Sequence, residues 1–327
     1  MFRLSTLLFV FSSSLFFLPG AYSAYVLENG SLVHVDQLAT MPFEKHYNAA
    51  ISALEEKSWI EAQRHLAIIQ RNFPDESKRQ DLQYYLGKSY YHLGKYDLAN
   101  ERLSEYLKGT KSSQYFIEAL KLKFFIAEQF KNGAKKHMFG TSQLPKWVDA
   151  KEDALDIYDE IIASIPSHPL AAESFYAKGE LLLAQKEYRE GVDTLQQLVK
   201  RFPQHKLTPK GFLLIAQHYY EQSKKEANNP DLLALGEINI RKFREQFPKD
   251  TRVLQAEKLL HAMKEFFAQG MYETGQFYER KKEKTASIVY YHNTIKQFPK
   301  TEAAKAAQQR INILSKTASQ AKKTNNG

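Results

Sequence analysis

The residues best suited to chemistry in this chain are its ten histidines and its 37 Asp and Glu side chains, because it has no cysteine. Thiolate catalysis, thiolate metal sites, disulfides and lipidation of an N-terminal Cys are excluded at once. The histidines are scattered, with no His-Glu-x-x-His zinc motif, and neither a Gly-x-Ser-x-Gly elbow nor a phosphate-cradling glycine loop is present. His92 and His218 stand beside aromatics, the usual setting of packed or surface histidines. The carboxylates recur at helical-face spacing, which fits solvation. The expectation is therefore no catalytic residue, no metal site and no cofactor. A hydrolase using a His/carboxylate pair would betray itself by a bound metal, or by loss of activity on His substitution.

Tyrosine offers a different chemistry. The chain has 19 tyrosines, each a large apolar surface with a polar tip, a composition suited to holding peptide segments. Which of them face outward depends on the elements that carry them.

Those elements repeat. Five segments end in an apolar residue and proline: Phe73-Pro74, Ile165-Pro166, Phe202-Pro203, Phe247-Pro248 and Phe298-Pro299. Twelve residues before each proline stands a small residue (Ala62, Ala154, Gly191, Gly236, Ser287), and eight before it an apolar or aromatic one (Leu66, Tyr158, Leu195, Ile240, Tyr291). The clearest unit runs from Tyr84 to Leu103. In it Gly87 allows close helix approach, Leu86, Tyr90 and Leu93 share a face, Gly94 marks the turn, and Ala99 is the small contact on the second helix. A second copy runs from Tyr176 through Gly179 and Tyr188 to Gly191. The pattern is that of tetratricopeptide-like (TPR-like) helix pairs. It predicts an all-α, right-handed superhelical solenoid of about six helix-turn-helix repeats, starting near Pro42, Gln80, Ser113, Ala172, Pro209 and Glu265. Insertions at Lys131–Lys151 and Ser223–Pro230 are expected as loops or short helices on the edge of the array.

First helices line the concave side of such a stack. The register puts Tyr47, Tyr84, Lys88, Tyr91, Tyr176, Glu180, Gln217, Tyr220, Tyr272 and Gln276 there, as candidate partner-binding residues. Tyrosine at helical spacing is equally the composition of packing between repeats.

The flanks read differently. Residues 1–23, with Arg3, an apolar run from Leu7 to Leu18 and Ala21-Tyr22-Ser23-Ala24, have the order of a secretory signal peptide. The run is short of the ~20 residues a membrane span requires. Residues 24–41 form an N-terminal leader or a short hairpin around Asn29-Gly30, residues 42–313 the solenoid, and 314–327 a disordered tail. The net charge of +9 comes mostly from lysines interleaved with glutamates, and no dense basic tract marks a nucleic-acid site. The expected product is an exported protein, peripheral to a membrane at most, that binds other proteins.

Two passages carry a family resemblance. One is His137-Met138-Phe139-Gly140 through Ala154, Tyr158 and Ile165-Pro166 to Pro169-Leu170-Ala171-Ala172. The other is Phe277-Tyr278-Glu279-Arg280-Lys281 running to Phe298-Pro299-Lys300-Thr301. From roughly Pro42 to Ile313 the chain resembles the BamD family of outer-membrane protein assembly factors. The resemblance implies a periplasmic scaffold at the inner face of the outer membrane. It would hold the periplasmic domains of the barrel-assembly protein and receive unfolded barrel substrates, with Arg280 and Lys281 at the partner-docking end. The chain departs from the family in lacking a lipidated Cys, in having six repeats where five are usual, and in carrying Val289-Tyr290 where many members have Asn-Arg. The other reading is an envelope TPR protein that coordinates Tol–Pal or peptidoglycan processes.

Overall fold

The computed structural model describes residues 25–28, 31–76, 79–109, 114–138, 145–226 and 229–324. The segment expected as a signal peptide, residues 1–23, lies outside them. The chain divides into two compact units between Tyr115 and Phe116.

In the first unit two strands, β1 (Tyr25–Glu28) and β2 (Ser31–His34), pair antiparallel with Tyr25 opposite His34 and Glu28 opposite Ser31. Two helical hairpins follow: α1 (Phe43–Glu55) with α2 (Trp59–Asn72), and α3 (Gln80–His92) with α4 (Tyr96–Leu107). The second unit has α5 (Phe116–Lys131) paired with α6 (Lys151–Ser164), α7 (Pro169–Ala184) with α8 (Tyr188–Arg201), and α9 (Thr208–Lys225) with α10 (Pro230–Gln246). It ends in α11 (Thr251–Arg280), α12 (Lys284–Gln297) and α13 (Glu302–Thr324). The architecture is an all-α array of TPR-like hairpins.

One numerical frame runs through the uninterrupted hairpins. Ala50, Gly87, Gly179 and Gly275 occupy the close contact on each first helix. Seven residues later Lys57, Gly94, Lys186 and Lys282 take left-handed φ values of 59°, 67°, 72° and 65° to turn the chain. Twelve residues on come Ala62, Ala99, Gly191 and Ser287, and sixteen on Leu66, Leu103, Leu195 and Tyr291, all buried. Burying each such leucine stabilises by about 1.5–3 kcal/mol before chain entropy is counted. The residue before each proline, Phe73, Ile165, Phe202, Phe247 or Phe298, ends its helix with φ between −135° and −125°. That extended backbone is what a following proline imposes. The Asn229 and Asp250 side chains cap α10 and α11 by accepting from Asp231 N and Arg252 N.

Three details differ from the sequence reading. The insertion after Lys131 is not a plain loop or helix: Lys136–His137 (β3) and Lys146–Val148 (β4) pair antiparallel. The sixth unit's first helix begins at Thr251 rather than near Glu265, because Val253 and Ala256 pack on the core of α9 and α10 while the same helix continues to Arg280. At its 30 residues α11 is about 45 Å long. Finally, α13 continues to Thr324, past residue 314 where a disordered tail was expected. Ala, Gln and Lys dominate that stretch and are good helix formers. No helix among the described residues is long and apolar enough to cross a membrane.

Candidate functional site

In the second unit α5, α6, α7 and α11 bring a row of polar groups together. Lys131, the last residue of α5, places Nζ 3.0 Å from Glu128 Oε1 and 3.1 Å from Glu180 Oε2 of α7. Tyr158 of α6, wholly buried, donates its hydroxyl to the same Glu128 oxygen at 2.5 Å. Burial, then the Glu128 carboxylate, pushes the Tyr158 hydroxyl well above its usual range. Burial and the neighbouring Glu180 raise Tyr176 likewise, opposed by Arg252 of α11. Both phenols therefore stay protonated at neutral pH and act as donors, not nucleophiles. Arg252 is in turn held by Asp250 through bonds of 2.8 and 2.7 Å, and that pairing holds the Asp250 carboxyl below its ordinary value. The row thus links carboxylate, cation and phenol in fixed positions, with Tyr158 buried beneath the partly exposed Lys131 and Glu180.

The remaining predicted residues distribute around this row. Tyr176 and Tyr220 both pack, half-buried, against the core cluster centred on Phe175 and Ile215. Lys224 lies 4.7 Å over the Tyr220 ring, and Gln217 is exposed one turn before it. At the far end of the unit Tyr272, Gln276 and Arg280 line one cavity of about 420 Å³ with Glu279 and Arg310. There Glu279 is occupied: Arg310 pairs with it and holds its carboxyl low, and Tyr291 donates to it at 2.8 Å. Arg280 is exposed, and Lys281 sits 5.7 Å over the Phe277 ring.

In the first unit Tyr47 donates to Asp81 at 3.0 Å beneath the Arg79 guanidinium, 4.8 Å from its ring centre. Lys88 and Tyr91 are half-exposed on α3. Tyr84 is a correction. It is only 5 % exposed and stacks at 4.3 Å on Tyr115, so it belongs to the packing of the hairpin and not to an open surface. The sequence reading missed Lys131, Glu128 and Arg252. The Glu128–Lys131 spacing of one helical turn was a visible signal, but Lys131 reads as the start of the insertion. Among the described residues no group of three or more His, Asp or Glu is gathered as metal ligands.

Comparison with known proteins agrees with the repeat. The tetratricopeptide repeat model matches residues 81–108 and 173–205, the α3–α4 and α7–α8 hairpins. No curated protein matches the chain. Among solved structures, a tetratricopeptide repeat protein from Parabacteroides merdae is 13 % identical, covering 82 % of this chain and 97 % of its own, with a TM-score of 0.36. A MamA double mutant is 16 % identical over 66 % of this chain and 94 % of its own, with a TM-score of 0.36. The apo form of RapI is 15 % identical over 83 % and 99 %, with a TM-score of 0.34.

Proposed function

We propose that this chain is a non-catalytic scaffold of the periplasm, at the inner face of the outer membrane, working in the assembly and insertion of β-barrel proteins. Its partners are the periplasmic domains of the barrel-assembly protein and unfolded barrel substrates. The observation that carries the scaffold reading is the partly exposed row Glu128–Lys131–Glu180–Tyr176, held in place from beneath by the buried Tyr158 through its bond to Glu128. Such a face holds extended chains by hydrogen bonds and aromatic contact without activating a nucleophile. The assembly role is supported by the resemblance of the stretches around His137–Ala172 and Phe277–Thr301 to the BamD family. On this reading Arg280 and Lys281 form the docking end, beside the cavity lined by Tyr272 and Gln276.

The test is photo-crosslinking in cells from Gln217, Gln276 or Arg280, combined with depletion. Adducts with the barrel-assembly protein, and falling levels of outer-membrane barrels on depletion, are expected. Adducts confined to Tol–Pal or peptidoglycan-synthesis proteins, with barrel levels unchanged, would instead establish the other envelope role.

A further inference from the structure

The second helices of the second unit carry a surface that the polar row does not use. Between α8 and α10 runs a groove of about 380 Å³. Its floor is Phe212, Ile215 and Tyr219 of α9, all nearly inaccessible. Its walls are two facing ridges. On α10 the ridge is Leu235, Ile238 and Lys242; on α8 it is Gln196, Val199 and Lys200. Each follows the three- and four-residue spacing of one helical face.

Three observations set this groove apart from ordinary surface. The core side of α10 is already provided by Leu232, Gly236, Ile240 and Phe243, so Leu235 and Ile238 are surplus to packing, at 42 % and 40 % exposure. The trough is also held open. Asn239 donates to Phe212 O at 3.0 Å, and Gln246 donates to Pro203 O at 2.8 Å, pinning α10 against α9 and the turn that precedes it. Lastly, Lys200 and Lys242 stand on opposite walls with no carboxylate partner among the described residues, and no carboxylate lines the groove. Some surface lysines of this unit, such as Lys178, Lys206 and Lys264, are paired with acids at 2.6–3.1 Å, and others are not; what distinguishes Lys200 and Lys242 is that they flank one apolar trough from opposite walls.

We infer that this groove docks an acidic amphipathic helix of a partner protein. The ridge from Leu235 to Lys242 is about 10 Å long, two turns of a ligand helix. Apolar side chains of that helix at i, i+3 or i+4, and i+7 would fill the trough, in the helix-in-groove mode. Its carboxylates would meet Lys200 and Lys242, and the positive rim would set both orientation and rate of encounter.

The probe is a capped sixteen-residue helical peptide with leucines at the i, i+3 and i+7 positions and glutamates on its flanks, set against the same peptide with lysines for glutamates. Binding to the full chain is followed by fluorescence polarisation at low and moderate salt. The acidic peptide is expected to bind and to weaken with salt, and the basic one to fail. Ile238→Asp should weaken binding at least tenfold. The double variant Lys200→Glu/Lys242→Glu should lose the acidic peptide at least fivefold and accept the basic one. Both lysines are exposed, so this charge swap decides the matter even if Ile238→Asp disturbs folding. Lys121→Glu, at an exposed position on α5 outside the groove, should change nothing. Failure of the acidic peptide to bind, or equal binding of the two peptides, would overturn the proposal. So would a self-association, seen by sedimentation, that Ile238→Asp abolishes, since the occupant would then be a second copy.

Discussion

Gly275 of α11 lies directly beneath the Tyr291 ring of α12: a Cβ placed on Gly275 would come within 2.6 Å of Tyr291 Cε1. The ring has nowhere to go, being fully buried and tied through its hydroxyl to Glu279 at 2.8 Å. Gly270, five residues earlier on the same helix, has nothing within 4 Å of its would-be Cβ. The two glycines therefore predict opposite signs. Gly275→Ala should cost about 1–2 kcal/mol, overpacking outweighing the gain in helix propensity. Gly270→Ala should stabilise by about 0.5–1 kcal/mol. Urea melts of the two variants check this. Equal shifts in one direction would mean that α11 and α12 do not nest at this point.

The same contact shows what was readable in the sequence. Gly87 over Leu103 and Gly179 over Leu195 repeat the relationship at the same spacing, and both are legible in the sequence from the Tyr84–Leu103 unit and its copy from Tyr176 to Gly191. Gly275 was overlooked because it stands in the polar run Tyr272-Glu273-Thr274-Gly275-Gln276, which carries no apolar rhythm. Tyr84 was misassigned for the converse reason. Helical spacing puts it on the outer side of α3, but Tyr115, distant in sequence, returns to cover it. Periodicity reports which side chains share a face of one helix. It does not report what a later segment lays over that face, nor that Lys131 would meet Glu180 across 49 residues.

A second prediction concerns acid. His46 and His65 face each other with Nδ1 atoms 2.9 Å apart, and Nε2 of His46 is buried without a partner. Burial first, then the charges of His65 and Arg64, hold His46 below its ordinary value of 6.5. Burial and Arg64 lower His65, with Glu61 opposing. As pH falls below 6.5 the unfolded chain takes up protons that the folded pair refuses, so stability drops with pH. The urea midpoint should be lower at pH 5 than at pH 7.5, and His46→Gln should reduce the difference. A midpoint that rises on acidification would show that the pair is stabilised by a shared charge instead.

Lys123 supplies a third. Its side chain is wholly buried, with Nζ 2.6 Å from Glu160, which is 37 % exposed. Burial lowers its pKa, and Glu160 works against that. Removing the acid takes its counter-charge from a buried ammonium, whereas removing the cation leaves an acid that water can reach. Glu160→Gln should therefore cost about 3 kcal/mol, and Lys123→Met less than about 1 kcal/mol. The reverse order in denaturant melts would refute the asymmetry.

The last prediction reads the first-helix surface of the first unit directly. Trp59, at the start of α2, stacks on His92 at the end of α3 with ring centres 3.8 Å apart and planes 9° from parallel. Burial, then the positive charges of Lys88 and Lys57, depress the His92 pKa below 6.5. A protonated imidazole in face contact quenches an indole, so tryptophan emission should fall as pH drops through a midpoint below 6.5. The chain has one other tryptophan, Trp147, 73 % exposed; Trp147→Phe should keep the transition, and His92→Gln should abolish it. Lys88 is one turn from His92, so Lys88→Glu replaces a repelling charge with an attracting one and should move the midpoint upward. An unmoved midpoint would mean that Lys88 points away from the imidazole, and the register that assigns Lys88 to the partner-binding face would fail with it.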